Sequence, residues 1–415
     1  MKILKILVLS FYYPPDISAG SFRCAALIEH LQQILPLEAE IHVLATMPNR
    51  FASFTIPALT IEHQGKIIIH RLPLLSHKGG TIAQVRNFLR YALKTHRFVK
   101  ANKYDLVLAT SAKLFTATLG AWVARQQKSK LYLDIRDIFV DTIEDVLIPK
   151  FATLIIPWLS LIEKWTIKKA NRVNLVSPGF AKYFKKRYPN AAFSFYTNGI
   201  DEEFINLLPT SANHRPQTTI NKTTTATEKG RPANYFTNRK IKLNVVYAGT
   251  IGEGQGLDLI IPKLANELRE QLQFRIIGDG PRKNKLLTAL TNTCCTNVEL
   301  INPMQRSALS EEYRNADILF LHLNEHKAFH KVLPSKLFEY AATGKPIWAG
   351  VAGFAAKFIH DEISNAVTFK PKDTLQAINV LSLLTLQTTI RNELIIKYSR
   401  AKIMSAMARE ICNLT

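Results

Sequence analysis

The chain has 415 residues, which is too long for one ordinary hydrophobic core and indicates two or three domains, with two as the starting assumption. Its 54 Lys and Arg against 32 Asp and Glu leave a net charge of +22, which favours polyanionic partners: nucleic acid, an anionic membrane surface or phosphorylated ligands. Four cysteines, two of them adjacent, form neither metal-ligand spacing nor a disulfide framework, so the expected compartment is reducing.

Short apolar runs bounded by turn residues recur through the first half of the chain. The first, 3–11, follows a lysine but is short and lacks a small-residue cleavage site, so we interpret it as a buried strand rather than a signal peptide. A helix is expected from near Ser21, with Leu27, Ile28 and Leu31 on its inner face. Such runs are typical of strands buried on both faces and predict a doubly wound parallel α/β sheet; the others are 41–45, 67–69, 106–109, 131–135 and 173–176.

Two segments of this half are both basic and apolar. Residues 81–103 are amphipathic, and residues 151–162 are almost wholly apolar, with Pro157 inside and lysines on both sides. The second segment is too short to span a bilayer, which takes about 20 residues. Each is expected to be a helix that either packs on the core with a solvated basic side or contacts an anionic membrane, and the net charge favours the membrane.

The composition changes sharply at 206–242, which is rich in Thr, Asn and Lys and is predicted to be a linker or a disordered insertion. It separates a first domain, 1–205, from a second doubly wound domain, 243–375. Residues 376–415 are expected to be helices that pack on the second domain or cross back to the first. The predicted strands of the second domain are 243–248, 274–277, 298–300, 318–321, 346–349 and 367–369.

Two glycine-rich turns each follow a predicted strand of the second domain. Gly249 and Gly252 lead into one helix, and Gly278 and Gly280 precede Arg282 at the start of the next. Glycines at such turns let the backbone approach a phosphate, and the following helix N-terminus faces it. The spacing is not GxGxxG, so a nicotinamide cofactor is disfavoured. The turns predict a phosphorylated ligand at the carboxyl ends of parallel strands.

A short buried helix is predicted within 333–346, because Pro-Ser opens this stretch and Gly and Pro close it. Ser335 and Lys336 lie in its first turn and Glu339 about one turn inside. The free backbone N–H groups, the positive end of the dipole and the lysine together favour an anion, phosphate above all. The alternative is a surface helix on which Lys336 and Glu339 are ordinary solvated residues.

Three histidines recur every four residues at His322, His326 and His330. On a helix they would align for a metal ion. They follow a predicted strand through a segment with no strong helix signal, so a metal site is not expected.

Six short motifs are spread over both halves: Gly20 with Arg23, 177–179, 198–201, 247–249, 278–280 and 334–340. Together they resemble retaining glycosyltransferases of family 4, over about residues 3–370 apart from the Thr-rich segment. Within that family the chain looks most like the bacterial enzymes that build lipid-linked O-antigen, capsule or exopolysaccharide repeat units. The resemblance implies a GT-B architecture of two Rossmann-like domains facing a cleft, with the acceptor bound mainly by the first domain and the nucleotide sugar by the second.

The resemblance also implies roles for particular residues. Glu339 matches the second acid of the family's E-x7-E motif and would accept hydrogen bonds from the ribose hydroxyls. Arg282 and Lys336, with backbone N–H groups near Gly20 and Gly252, would neutralise the departing diphosphate, so the implied catalytic residues are Arg282, Lys336 and Glu339. The remaining implied donor-binding residues are Gly249, Gly278, Gly280 and Ser335. No metal and no cofactor are expected beyond the co-substrate, for which a UDP-sugar is favoured.

Two positions of the second domain depart from the family pattern. Lys331 replaces the first acid of the motif, which normally contacts the donor sugar, so the identity of the sugar is open. Glu325 is either a stand-in for that acid or a plain loop carboxylate. Gln255 replaces the phosphate-binding lysine of the first glycine turn, which shifts the expected charge onto Arg282 and Lys336.

The remaining candidates for sugar or acceptor contacts lie in the first domain. Asp134, Arg136 and Asp137 resemble a subgroup of the family with an Asp-x-Arg-Asp loop. They either orient a substrate, or Asp134 and Arg136 form a structural ion pair. Arg23 and Asn198 complete this set.

The expected function is transfer of a sugar, taken to be an N-acetylated deoxyhexose, from a nucleotide diphosphate to a polyprenyl-diphosphate-linked acceptor. The protein would work in the cytoplasm, peripherally attached to the inner face of the cell membrane. The alternatives are another GT-B enzyme such as a nucleotide-sugar epimerase, a non-catalytic relative, or a nucleic-acid-binding protein. Nucleic acid is not the expected partner, because no recognised reading module and no stacking pattern of aromatic and basic residues appear.

Overall fold

The structure, a computed structural model, describes residues 3–50, 56–74, 81–111, 114–138, 140, 149–207 and 242–415. The chain divides into two compact units, the first made of residues 1–199 and 400–415 and the second of residues 200–399. Nearly all of the predicted linker 206–242 lies outside the described residues. Where the sequence suggested a first domain ending at 205, the division falls at 199–200, and the chain returns to the first unit at 400.

The first unit is built on a sheet of eight described strands in the order β3-β4-β2-β1-β5-β6-β7-β8. All neighbours are parallel except β3 and β4. The strands are β1 Lys5–Leu9, β2 Glu40–Thr46, β3 Ile61–Gln64, β4 Ile67–Leu72, β5 Leu106–Ser111, β6 Lys130–Ile135, β7 Arg172–Leu175 and β8 Phe193–Ser194. The helices are α1 Ala19–Ile34, α2 Thr81–Lys100, α3 Leu114–Gln127, α4 Pro149–Lys169 and α5 Ala181–Arg187.

The doubly wound parallel sheet predicted for the first half is confirmed. Ile6, Val8 and other residues of β1 are fully buried, as expected of an inner parallel strand. The predicted inner face of α1 is buried as well. The sequence missed β3 and β8, because β3 has no buried residue and β8 has only two residues, so neither shows an apolar run.

The second unit is built on six described strands, all parallel, in the order β11-β10-β9-β12-β13-β14. Each predicted strand is present: β9 Leu243–Ala248, β10 Leu272–Ile277, β11 Val298–Ile301, β12 Ile318–His322, β13 Ile347–Gly350 and β14 Ala366–Phe369. The helices are α6 Glu202–Ile205, α7 Leu257–Glu267, α8 Lys283–Asn292, α9 Arg306–Asn315, α10 Ser335–Ala342, α11 Gly353–Glu362, α12 Thr374–Leu381 and α13 Asn392–Lys397. Because the strands are parallel, their carboxyl ends lie at one edge of the sheet.

The last helix, α14 Arg400–Cys412, belongs to the first unit. Its Met404, Met407 and Ile411 are fully buried in the same apolar cluster as Ile28 and Leu31 of α1. The chain therefore passes between the units twice, at 199–200 and at 399–400. Beside these passages the Ile200 N–H donates to the Tyr398 carbonyl at 2.7 Å.

Candidate functional site

The helix α10 has the bounds and the apolar face that the sequence predicts. Leu337, Phe338 and Ala341 are buried in the core of the second unit. Its N-cap residue, Pro334, makes no side-chain hydrogen bond, so no capping side chain occupies the N–H groups of the first turn. Ser335, the first helical residue, is half-buried. The helix start therefore keeps its capacity to bind an anion.

Lys336 lies against the backbone of Gly249, immediately after β9. A Cβ at Gly249 would be 2.4 Å from Lys336 Cε and 3.0 Å from Nζ. Burial lowers the pKa of Lys336, Glu339 opposes this shift, and Arg306 adds to it. An ammonium group with reduced hydration gains more from a bound anion than a fully solvated one. The structure thus brings together the predicted cation, the helix start and the first glycine turn.

The two glycine turns pack backbone against backbone. A Cβ at Gly278 would fall 1.8 Å from the Gly249 carbonyl oxygen, and one at Gly280 would fall 2.5 Å from that of Ile251. Backbone hydrogen bonds tie the turns together, from the Gly249 N–H to the Ile277 carbonyl at 2.8 Å and from the Ile251 N–H to the Asp279 carbonyl at 2.9 Å. From the sequence, these glycines were expected only to let the backbone approach a phosphate. In the structure, close packing against the backbone of the other turn is enough to require glycine at 278 and 280, with or without a ligand.

Gly252 differs from those two glycines. A Cβ there would meet only side-chain ends, Gln255 Oε1 at 3.2 Å and Thr250 Cγ2 at 3.4 Å. Both can move, so packing alone does not require glycine at this position.

Arg282 is held by two carboxylates. It forms an ion pair with Glu253, and its Nη1 lies 2.6 Å from Asp258 Oδ2. Asp258 is buried and also lies 3.4 Å from Lys285 Nζ. A diphosphate at the second glycine turn would therefore compete with Glu253 for this guanidinium.

Glu339 is half-buried one turn inside α10. The Tyr313 hydroxyl of α9 donates to its Oε2 at 3.3 Å. Burial, together with the Glu339 carboxylate, raises the pKa of Tyr313 well above its usual value, so this hydroxyl stays a donor. The contact gives Glu339 a fixed partner on the neighbouring helix.

His322 is fully buried, and both of its ring nitrogens are used. Nδ1 lies 2.6 Å from the Gln255 carbonyl, and Nε2 lies 3.2 Å from the Lys372 N–H. Burial lowers the pKa of His322 to about 4, so the ring is neutral, with Nδ1 donating and Nε2 accepting. Its role is structural. Within the described ranges no three His, Cys, Asp or Glu side chains are grouped so as to hold a metal ion.

Lys331 ends a short 3-10 turn, Phe329–Lys331, just before α10. The Phe329 ring lies 2.8 Å from where a Cβ of Gly254 would be, and the His330 backbone lies against Gly353. The 3-10 turn therefore packs between the first glycine turn and the start of α11. Lys331 is half-buried there, whereas Glu325 is exposed.

In the first unit, Arg23 and Asp134 are bonded to each other. Arg23 Nε lies 2.9 Å from Asp134 Oδ2, and Nη2 lies 3.0 Å from Oδ1. The same guanidinium donates to the carbonyls of Tyr196 and Thr197, and Asn174 donates to Asp134 at 2.7 Å. The sequence left open a structural ion pair between Asp134 and Arg136. In the structure the partner of the Asp134 carboxylate is Arg23 instead. Both groups are 1% exposed, so in this structure they face each other and not solvent.

Arg136 lies instead against the first turn of α1. Its Nη1 occupies the place where a Cβ of Gly20 would be, and its Nε is buried without a hydrogen-bond partner. Burial lowers the pKa of Arg136, while Asp137 and Asp134 raise it. The predicted residues Gly20 and Arg136 are thus neighbours. Asp137 is exposed, and Asn198 is buried with its Oδ1 unpartnered.

Comparison with known proteins finds a family model that matches part of the second unit. Residues 242–385 match the family model described as "Glycosyl transferases group 1". No curated protein sequence matches the chain.

Solved structures similar to the whole chain include HepE from Anabaena, in complex with UDP-glucose, with a TM-score of 0.67 and 15% identity over 99% of this chain and 100% of that one. The lipopolysaccharide outer core galactosyltransferase WaaB has a TM-score of 0.57 and 12% identity, covering 98% and 100%. An α,α-trehalose-phosphate synthase from Burkholderia xenovorans has a TM-score of 0.66 and 11% identity, covering 98% and 99%. At these identities the likenesses show the fold, and they confirm the expected GT-B type.

Proposed function

We propose that the protein is a retaining glycosyltransferase with a nucleoside diphosphate sugar as donor, because residues 242–385 match the glycosyl transferases group 1 model and the chain has the GT-B fold. The observation that carries the proposal is Lys336 lying against Gly249 at the uncapped start of α10, with Glu339 one turn later. HepE was solved with UDP-glucose and with UDP, which supports UDP as the nucleotide here. WaaB is a lipopolysaccharide outer core galactosyltransferase, which supports a lipid-linked saccharide acceptor. The proposed sugar is an N-acetylated deoxyhexose.

In the proposed reaction the bond between the anomeric carbon and the diphosphate oxygen breaks, and its electron pair stays on that oxygen. The acceptor hydroxyl oxygen bonds to the anomeric carbon on the same face, and its proton passes to a phosphate oxygen. Lys336 and the N–H groups of α10 stabilise the charge that develops on the diphosphate. Glu339 holds the ribose hydroxyls. Arg282 contributes to the extent that the diphosphate displaces Glu253.

Attachment to an anionic membrane is the second part of the proposal. On α2 the side chains of Val85, Leu89 and Leu93 are 52%, 57% and 60% exposed. Their four-residue spacing forms one apolar stripe along the helix. The neighbouring cations are Arg86, Arg90, Lys94 and Arg97. An apolar stripe beside cations fits a surface of anionic lipid.

A similar surface lies on α4, which reaches α2 through α3. Ile155, Trp158 and Leu161 are exposed, Trp158 by 69%. Glu163 accepts hydrogen bonds from Tyr183 at 3.0 Å and Tyr188 at 2.7 Å, which fixes α5 beside α4. The two helices together present exposed cations: Lys164, Lys168, Lys169, Lys182, Lys185 and Lys186. None of the described helices is long and apolar enough to cross a bilayer.

The donor site is tested by thermal stabilisation with UDP, GDP, ADP and CMP. We expect UDP to raise the melting temperature of the wild type most, and Glu339→Ala to lose most of that rise. Glu393→Ala, which removes a carboxylate from an exposed position on α13, should keep it. If no nucleotide stabilises the wild type while DNA or anionic vesicles do, the donor site is wrong.

Membrane attachment is tested by sedimentation with vesicles of phosphatidylglycerol and phosphatidylcholine. The wild type should sediment with the anionic vesicles, and Leu89→Glu combined with Trp158→Glu should reduce this strongly. Equal sedimentation with neutral vesicles, or no effect of the double variant, would contradict the proposal.

A further inference from the structure

Arg306, which the sequence did not single out, links two helices of the second unit, α9 and α6. It is the first residue of α9, and its Nη2 lies 2.5 Å from Asp201 Oδ2. Its Nε lies 2.6 Å from Glu203 Oε1 in α6. The guanidinium also sits over the Phe204 ring, 4.9 Å from its centroid. Two carboxylates and an aromatic face therefore fix this side chain in place.

The face of α9 that carries Arg306 also faces Glu339. Tyr313 lies seven residues, or about two turns, further along and so on the same face of the helix. Its ring centroid is 5.8 Å from that of Phe204 and 5.3 Å from that of Tyr340 of α10. Its hydroxyl donates to Glu339, as described above. Against the effect of burial, the carboxylates of Asp201, Glu339 and Glu203 raise the pKa of Arg306, so the guanidinium is within electrostatic reach of Glu339.

Glu339 therefore interacts electrostatically with two cations that differ in their freedom to move. Arg306 is anchored by Asp201 and Glu203. Lys336 forms no ion pair among the described residues, and its pKa responds to both Glu339 and Arg306. If Arg306 were neutral, the charges of Asp201 and Glu203 would repel Glu339 and leave Lys336 as the cation that attracts it. A Glu339–Lys336 pair would withdraw the carboxylate from the ribose and the ammonium from the diphosphate.

We propose that Arg306 is a positioning residue that keeps Glu339 apart from Lys336 and directed at the ribose hydroxyls of the donor nucleotide. The inference rests on the proposed function, because it assigns Glu339 to the ribose. It also gives Asp201, the last residue of the 198–201 motif, a role: its carboxylate anchors the guanidinium.

The test is the ratio of the dissociation constants of 2′,3′-dideoxy-UDP and UDP, measured by titration calorimetry. In the wild type we expect UDP to bind about 10- to 100-fold more tightly, as for loss of a hydrogen bond to a charged group. Arg306→Gln should lower this ratio to about threefold or less, because Glu339 no longer holds the hydroxyls. Arg306→Lys should recover part of the ratio by restoring the charge.

The matched control is Arg314→Gln, which removes the same charge from α9 at an exposed position, where it pairs with Glu311. It should keep the wild-type ratio. Arg306→Met, which keeps the aliphatic stem against Phe204, replaces the glutamine variant if that one does not fold. If the Arg306 variants lose affinity for both nucleotides equally, or keep the wild-type ratio, the inference is overturned. A wild type that binds neither nucleotide overturns the proposed function and, with it, this inference.

Discussion

Arg23 in the first unit and Lys336 in the second are both cations near the start of a helix, yet their surroundings in the structure differ. The described hydrogen bonds of Arg23 go to groups of its own unit, and a bidentate pair with the buried Asp134 dominates them. Lys336 lies over a glycine backbone with its pKa lowered by burial. The comparison teaches that a cation near glycines indicates a ligand site only when no internal carboxylate has already taken the charge.

The largest effect is expected on stability in the first unit. Arg23→Met leaves the buried Asp134 carboxylate without its cation and should lower the free energy of unfolding by about 3–5 kcal/mol, measured by urea denaturation. The control Arg125→Met changes an exposed residue of α3 and should shift stability by less than about 0.5 kcal/mol. Similar small losses for both variants would show that the Arg23–Asp134 pair is not structural, and the comparison would fail.

Lys336→Met tests the other side of the comparison. We expect the affinity for UDP to fall about 100-fold, the upper part of the range for a charged hydrogen bond, as measured by calorimetry. Stability should not fall, because burial already disfavours the charged ammonium in the free protein. Lys397→Met, at an exposed site, should bind UDP normally. A large loss of stability with unchanged affinity would make Lys336 a structural cation like Arg23.

The pH dependence of UDP affinity also tests whether Lys336 binds the diphosphate. The pKa of Lys336 is lowered from its usual 10.5, so the free protein loses this proton earlier than an ordinary lysine does. Since the diphosphate binds the protonated form, the dissociation constant should already increase at a pH below 10.5. Lys336→Arg keeps its charge at such pH values and should flatten the profile. A flat wild-type profile would mean that Lys336 does not contact the diphosphate.

The smallest of these effects is expected at Arg282. Like Arg23 it is already paired with carboxylates, those of Glu253 and Asp258, but like Lys336 it lies at a glycine turn. Arg282→Gln should weaken UDP binding by about fivefold, as for a partly exposed ion pair, and less than Lys336→Met does. Calorimetry of both variants under one condition decides the order. If Arg282→Gln is the more damaging change, the diphosphate lies at the second glycine turn rather than at α10.

Much of the second unit could be predicted from its sequence, because local patterns determine it. The apolar spacing and the end signals of α10 depend on neighbours within a few residues, and each buried parallel strand shows as an apolar run. The strands β3 and β8 escaped prediction because they lack such a run.

The polar contacts could not be predicted in the same way. Arg23 and Asp134 are 111 positions apart, and Arg306 and Asp201 are 105 apart, so only the tertiary fold pairs them. For Gly278 the sequence showed a glycine, but not the Gly249 backbone that requires it. One usable signal for Arg306 was its place at the start of the helix after β11, on the same sheet edge as the glycine turns.

The central claim is that a nucleoside diphosphate binds at the start of α10 and the two glycine turns. Hydrogen–deuterium exchange of the full chain with and without UDP tests it most directly, because the backbone N–H groups are themselves the proposed ligands. We expect UDP to slow exchange in segments 249–256, 278–283 and 335–340, and Lys336→Met to reduce this protection. Unchanged exchange in all three segments at a UDP concentration that stabilises the protein would contradict it.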